Sequence, residues 1–410
     1  MENNNLKIKA DSLAIFREVR SDKAMKALLD LIESPSIDLY SQFISLLYPE
    51  TDNISEYVKK IVLSDDNFYV KNVAAGREMS DDIKAAVTRE LNILEEIASI
   101  SSDEMQQAIA DACFDGQLPI TLPAWKCQHI TLADDFNKKI ADIPVTGYGM
   151  YARYNFFRIS DGKITPVTSP DFQRLDQLFE YERERNLIIK NTEALVSGKG
   201  ASNMLLYGDM GTGKSSTIKA VAAHYADQGL RIIEIKKEQL FQIPEILEEL
   251  SSNPLKFILF IDDLSFTGND DNFSALKATL EGSVAGCGDN VAIFATSNRR
   301  HLVKESMSDR TGEEIHVNDT IQETMSLAAR FGLTITFMRP EKDNYLSIVR
   351  SLADEYGILY YDDEDPAAVP AEGAITLRAL NTKAEAFAIR HNGRSPRTAR
   401  QFIELLKIGI

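Results

Sequence analysis

Cysteine, tryptophan and histidine are scarce in this chain of 410 residues, with three, one and five copies. Cys113, Cys127 and Cys287 stand far apart and form no pair with metal-ligand spacing. That pattern excludes a zinc framework and a disulfide-stapled secreted fold, and it points to a reducing cytoplasm in which the three act as small hydrophobes. Long apolar runs are missing too. The longest, such as Phe257 to Ile261 and Val291 to Ala295, fall far short of the roughly 20 residues that span a bilayer, so no membrane partner is expected. The opening Met-Glu-Asn-Asn-Asn-Leu-Lys has neither the basic flank and apolar stretch nor the small-residue cleavage site of a signal peptide. Basic residues are outnumbered, 45 against 62, for a net charge of −17. Indiscriminate adhesion to nucleic acid is therefore unfavourable, protein partners are favoured, and nucleic acid would need a local basic patch.

What the chain does have is a 44% apolar composition, enough for real cores in two or three domains. Its organising stretch runs from Met204 to Ser215. Four apolar residues, Met204 to Tyr207, read as a short buried strand, and G-x-x-x-x-G-K-[ST] follows at Gly208, Gly213, Lys214 and Ser215. Glycines let such a loop curl until successive N–H groups face one concavity, where a di- or triphosphate sits at the start of the next helix. The helical run Ser216 to Ala226 supplies that helix. Lys214 is expected on the outer phosphates and the Ser215 hydroxyl on magnesium. Gly208, Asp209, Met210, Gly211, Thr212, Gly213, Lys214, Ser215 and Ser216 make up the loop.

Residues 1–125 read as a helical N-terminal domain. Ser21 is expected to cap a run with Met25, Leu28, Leu29 and Ile32 on one face, stopped by Pro35. Ser80 caps a longer stripe of Ile83, Val87, Leu91 and Leu94, and 102–113 reads as a further amphipathic helix. These stripes are core faces. Residues 126–170 shift toward proline, glycine and aromatics, and read as a connector with its own small sheet: a hairpin of Tyr154 to Ile159 and Lys163 to Val167 about Ser160-Asp161-Gly162. Asp171 to Val196 reads as a helix pair.

From there to residue 338 strands and helices alternate, which implies a parallel sheet covered on both faces. The expected strands are Met204–Tyr207, Leu230–Ile235, Phe257–Asp262, Asn290–Thr296 and Leu333–Phe337, with helices at Glu238–Leu250 and Ser274–Glu281. A polar segment, Lys304 to Asp319, precedes a helix running to Ala329. Residues 339–410 carry three helical runs and no convincing strand, a small helical lid.

Phe257 to Ile261 delivers Asp262 and Asp263 to the carboxyl end of a buried strand, where open α/β sheets bind ligands. In this Walker B reading Asp262 holds the magnesium shell and Asp263 orients or deprotonates the attacking water. Glutamate is commoner at the second position. The shorter Asp263 leaves room for slow turnover or for help from Glu281. The strand ending in Ser297-Asn298-Arg299-Arg300 brings the Asn298 amide beside the γ-phosphate position.

These motifs, with Ala329-Arg330-Phe331-Gly332 ahead of the last strand and Gly393-Arg394-Ser395-Pro396-Arg397 in the lid, resemble those of AAA+ ATPases. The likeness is closer still to one bacterial family of them, known as domain of unknown function eight-fifteen. It rests on Gly208 to Ser216, Leu230 to Glu234, Phe260 to Phe266, Ala295 to Leu302 and Ser395 to Phe402, and it covers about Phe172 to Ile410. That family usually has glycine where this chain has Glu180. The resemblance implies a five-stranded parallel sheet, ATP and Mg2+ as cofactors, and homo-oligomeric rings or filaments. Asn298 would be a sensor-one residue, Arg330 an arginine finger reaching a neighbour's γ-phosphate, and Arg397 a lid residue on the phosphates, sharing a basic cluster with Arg390, Arg394 and Arg400. Catalysis would then rest on Lys214, Asp263, Asn298 and Arg330. The function so implied is a cytoplasmic ATPase that remodels or assembles an unknown protein or protein–nucleic-acid partner. A DNA-linked initiator or helicase loader, and a scaffold that binds ATP with little turnover, are the alternatives. Phe241 is the one nearby aromatic for a pore loop, within an apolar helical pattern.

Overall fold

The computed structural model describes residues 2–264, 271–280, 289–298, 329–365 and 372–409. Cys287, Glu281, Arg299, Arg300 and the segment expected at Lys304 to Asp319 lie outside them. Residues 1–153 form one compact unit and most of 154–410 the other.

The first unit is helical. Its helices are α1 (Glu2–Asp11), α2 (Arg17–Ser21), α3 (Lys23–Glu33), α4 (Ile37–Leu47), α5 (Ile54–Ser64), α6 (Phe68–Ala74), α7 (Asp81–Ala98), α8 (Ser102–Cys113), α9 (Leu132–Thr146) and α10 (Met150–Arg153). Short polar side chains open many of them: Asn53 and Asn67 accept from free backbone N–H groups, as Ser80 does, and Ser101 forms a reciprocal capping box with Glu104. The cap expected at Ser21 is one residue later. Ser21 ends α2, and the Asp22 carboxylate accepts from Ala24 and Met25 N–H, a stronger acceptor at the positive end of the helix. The stripes meet in one core in which Trp125 packs between Tyr40 and Phe43. The helical unit runs on through α9 and α10 rather than ending at residue 125. Cys113 and Cys127, expected to act as small hydrophobes, are free thiols on exposed positions.

The second unit is built on a seven-stranded sheet, order β2-β1-β4-β5-β6-β3-β7. The strands are β1 (Phe156–Ser160), β2 (Lys163–Pro166), β3 (Met204–Gly208), β4 (Leu230–Ile235), β5 (Lys256–Ile261), β6 (Val291–Ser297) and β7 (Leu333–Phe337). The five strands β3 to β7 pair in parallel as the alternation implied, and the middle ones are buried from end to end. The hairpin does not make a small sheet of its own. Asp161 and Gly162 both take positive φ, 50° and 73°, which closes a two-residue turn, and β1 then pairs in parallel with β4, Phe156 opposite Ile232. Residues 126–170 are thus divided between the units.

Helices α11 (Glu182–Val196), α12 (Lys214–His224), α13 (Ile243–Ser251) and α14 (Asp271–Leu280) flank the strands in sequence. The helix pair expected before β3 is a single helix preceded by a 3-10 turn at Leu175–Gln177. The helix expected at Glu238 begins instead with a 3-10 stretch, Lys237–Gln242, and turns α-helical at Ile243. Pro244 accounts for this: it lacks an N–H and its ring crowds the preceding turn, so it is best accommodated in the first turn of an α-helix, where it stands here. Phe241 is exposed on that 3-10 stretch. The C-terminal segment holds α15 (Lys342–Tyr356), α16 (Leu377–Arg390) and α17 (Pro396–Lys407) around their own core of Tyr345, Leu380 and Phe402. Two short parallel strands, β8 (Tyr360–Tyr361) and β9 (Ile375–Thr376), join them.

Candidate nucleotide site

The chain leaves β3 through Gly208, whose φ of +141° no side chain tolerates well. A Cβ there would stand 2.0 Å from the Phe337 carbonyl oxygen of β7. Glycine is what lets the loop start between two paired strands. Gly211 and Gly213 also take positive φ, and α12 begins at Lys214 with its first N–H groups directed into the loop.

Lys214 is 5% exposed. Its ammonium donates to Gly208 O (2.9 Å), Asp209 O (2.7 Å) and Asn298 Oδ1 (3.0 Å), which uses all three of its protons. Asn298 Nδ2 in turn donates to Asp263 Oδ1 at 2.7 Å. Burial pulls the Lys214 pKa down to about 8, against the pull of Asp209, Asp262 and Asp263 in the other direction.

Asp262 stands at the end of β5 and accepts from Ser215 Oγ (2.6 Å) and Thr296 Oγ1 (2.6 Å). Thr296 also accepts from Asp263 N–H at 2.9 Å. It holds Asp263 in the left-handed region, φ +52°, which costs an L-residue of order 1–3 kcal/mol. Backbone strain of this kind aims the Asp263 carboxylate at Asn298. The sequence reading passed over Thr296; a hydroxyl closing an apolar strand beside the two aspartates was the signal for it.

Around these groups lies a cleft of about 480 Å³ that also takes in Leu178, Glu180, Tyr181, Arg185, Ile348 and Arg397. Each of the loop residues from Met210 to Ser216 lines it, with Asp262, Asp263 and Asn298. Arg185 donates to Leu178 O and fixes that wall. Glu180 and Tyr181 both take positive φ, 58° and 60°. A glycine at the Glu180 position would adopt that conformation without strain. Tyr181 packs on Phe337 and donates to Met338 O at 2.6 Å.

The lid closes the cleft through α17. Ser395 caps it, and the Arg397 N–H donates to Gly211 O at 3.2 Å. Of the lid arginines, Arg397 and Arg400 both line the cleft. Arg394 makes a two-pronged ion pair with Glu385 (2.8 and 2.8 Å), and Arg400 donates to Tyr356 (3.0 Å), leaving Arg397 exposed beside the loop. Arg330 lies elsewhere. Gly208 pairs with Phe337 and Met204 with Leu333, so Arg330, three residues before Leu333, is at the end of the sheet away from the P-loop. Four residue steps of about 3.3 Å separate those ends. Arg330 is half-buried there and is not among the described residues lining the cleft.

Residues 150–409 match the family described as protein of unknown function (DUF815). The chain belongs to that family. Its matched region holds the P-loop after β3 and the paired aspartates just beyond β5. Among solved structures it is similar to a variant of Thermotoga maritima RuvB, at 14% identity over 57% of this chain and 64% of that one, TM-score 0.36. It is also similar to the Thermotoga maritima RuvB Holliday junction branch migration motor (16%, 58% and 74%, 0.32) and to the FIGL-1 AAA domain in complex with ADP (15%, 59% and 75%, 0.37). The match spans less than two thirds of the first of these. No protein of curated function matches the sequence. No helix among the described residues is long and apolar enough to cross a membrane.

Proposed function

We propose that the chain is a Mg2+-dependent ATPase that couples ATP hydrolysis to rearrangement of a protein or protein–nucleic-acid partner in the cytoplasm, working as a homo-oligomer. The observation that carries this reading is the convergence of Lys214, Ser215, Asp262, Asp263 and Asn298 on one cleft at the start of α12. Those residues suit the triphosphate and its metal. Ser215 and Asp262, already 2.6 Å apart, would hold magnesium; the ion, when bound, neutralises phosphate charge.

Lys214 exchanges its carbonyl partners for phosphate oxygens, which are better acceptors for an ammonium. Withdrawing its third proton from Asn298 Oδ1 as well leaves that oxygen to accept from the attacking water. Asp263, oriented by Asn298 Nδ2, takes the proton of that water as the oxygen–phosphorus bond forms and the β–γ bridging bond breaks, leaving ADP and phosphate. Arg397 steadies the phosphates from the lid. Arg330 acts on a neighbouring copy, since it stands at the far end of its own sheet.

Arg397 and Arg400 both face the cleft with Lys214, which favours a phosphate-bearing ligand there. Lys214→Ala removes a phosphate ligand and no core packing. ATP binding measured by calorimetry should be lost with the fold intact; undiminished affinity would overturn the assignment.

A further inference from the structure

We propose that Arg339 and Asp209 form a latch between the P-loop and the lid, which makes Arg339 a positioning residue for ATP; the inference rests on the ATP reading above. Phe337, Met338 and Arg339 carry the chain out of β7 toward α15, and each is hydrogen-bonded to the start of the P-loop or to the cleft wall at Tyr181. Phe337 O accepts from Asp209 N–H (3.1 Å), Met338 O accepts from the Tyr181 hydroxyl (2.6 Å), and Arg339 N–H donates to Asp209 Oδ2 (3.2 Å). The Arg339 Nε also lies 3.4 Å from Asp209 Oδ1. Asp209 thus grips the hinge with its backbone and its carboxylate, while the next residues of the same loop line the cleft.

On its other side the guanidinium meets the lid. A Cβ on Gly393 would stand 2.9 Å from Arg339 Nη1, and Gly393 takes φ +86°. Two residues further on, Ser395 opens α17, whose Arg397 N–H bonds the P-loop at Gly211. Arg339 therefore touches the loop that would hold phosphate and the lid turn that covers it. A phosphate that reshapes the backbone from Asp209 to Lys214 moves the Asp209 carboxylate, and the guanidinium against which the Gly393 turn rests moves with it.

The two side chains are 39% and 53% exposed, and an exposed pair of this kind adds only ~0–1 kcal/mol to stability. Its removal should leave the fold intact. The test compares the full chain with Asp209→Ala, Arg339→Ala, Arg339→Lys and the Asp209→Ala/Arg339→Ala double variant, by ATP calorimetry, steady-state kinetics and thermal melting. Each alanine variant should raise the ATP Kd and KM about fivefold or more, the low end of coupling between sites, with the melting temperature unchanged, and Arg339→Ala should keep kcat within about twofold. The double variant should be no worse than either single, and Arg339→Lys should recover part of the loss. Kd within twofold of the parent in both single variants, or effects that multiply in the double, would overturn the latch. Failure of the ATP reading has a different signature: a parent chain that does not bind ATP, or Lys214→Ala binding as tightly as the parent, removes that reading and the latch with it.

Discussion

Two lysines in this molecule, Lys139 in the helical unit and Lys214 in the P-loop, are both pulled by burial to a pKa of about 8, and only one stands in a cleft. Lys139 donates to the Asp65 carbonyl oxygen at 3.1 Å and lies 5.8 Å from the centre of the Phe136 ring. The Asp65 and Asp66 carboxylates pull its pKa the other way. Lys214 heads a chain of hydrogen bonds through Asn298 to Asp263, beside a second set joining Ser215, Thr296 and Asp262. A desolvated charge is therefore no sign of a site by itself. Glu90 makes the same point with the opposite charge: 1% exposed, it accepts from the N–H groups of Ala14, Ile15 and Phe16 and holds a turn closed. What distinguishes the P-loop is that its polar groups can trade their partners for a ligand's.

The largest effect expected lies outside both lysines, at Arg330. If it completes a neighbour's site, specific activity rises with protein concentration, and Arg330→Ala abolishes that rise while ATP still binds. Arginine fingers are worth ~10³ to 10⁵ in rate. Mixing Arg330→Ala with Lys214→Ala should restore some hydrolysis, one supplying the P-loop and the other the finger. Turnover independent of concentration, with nothing recovered in the mixture, would leave Arg330 a structural residue.

The lysine pair is tested next. Each ammonium titrates near 8 when folded, against an ordinary 10.5. Between those values the unfolded chain binds more protons, so stability of the nucleotide-free protein rises from pH 8 to 10.5; below pH 8 the full cost of burial is present. Lys139→Met and Lys214→Met should each flatten that rise, by at most about 3 kcal/mol and less with solvent screening. Only Lys214→Met should lose ATP binding. In the parent chain, ATP affinity should fall as pH climbs past about 8, because the free lysine then surrenders its charge. Equal loss of ATP binding in both variants would break the contrast.

The smallest effect concerns the cleft wall. Glu180→Gly should relieve a left-handed conformation that costs an L-residue roughly 1–2 kcal/mol, partly offset by the greater freedom of glycine in the unfolded chain. A net gain of about 0.5–1 kcal/mol in thermal unfolding is expected. A loss of stability would mean that the Glu180 side chain makes contacts that outweigh its strain.

Much of this site could be read from the chain alone. The P-loop announces itself because glycines at fixed spacing follow an apolar run, and the aspartates because they end another. The pairing of β1 with β4 was not legible, since an exposed hairpin and one that extends a sheet share the same turn chemistry and the same alternation. Nor was the Asp209–Arg339 contact: the residues are 130 positions apart, and nothing local to either marks the other. The split at Pro244 was legible in principle, because a proline favours the first turn of a helix, though Pro144 lies in the last turn of α9.

The account stands most directly on Asp263. Calorimetry and steady-state hydrolysis on the parent chain and Asp263→Asn, side by side with magnesium present, measure its two halves separately. Asp263→Asn should bind ATP as the parent does and lose turnover by about 10² to 10⁴, the range for removal of a general base. Equal hydrolysis by the two proteins would contradict the account.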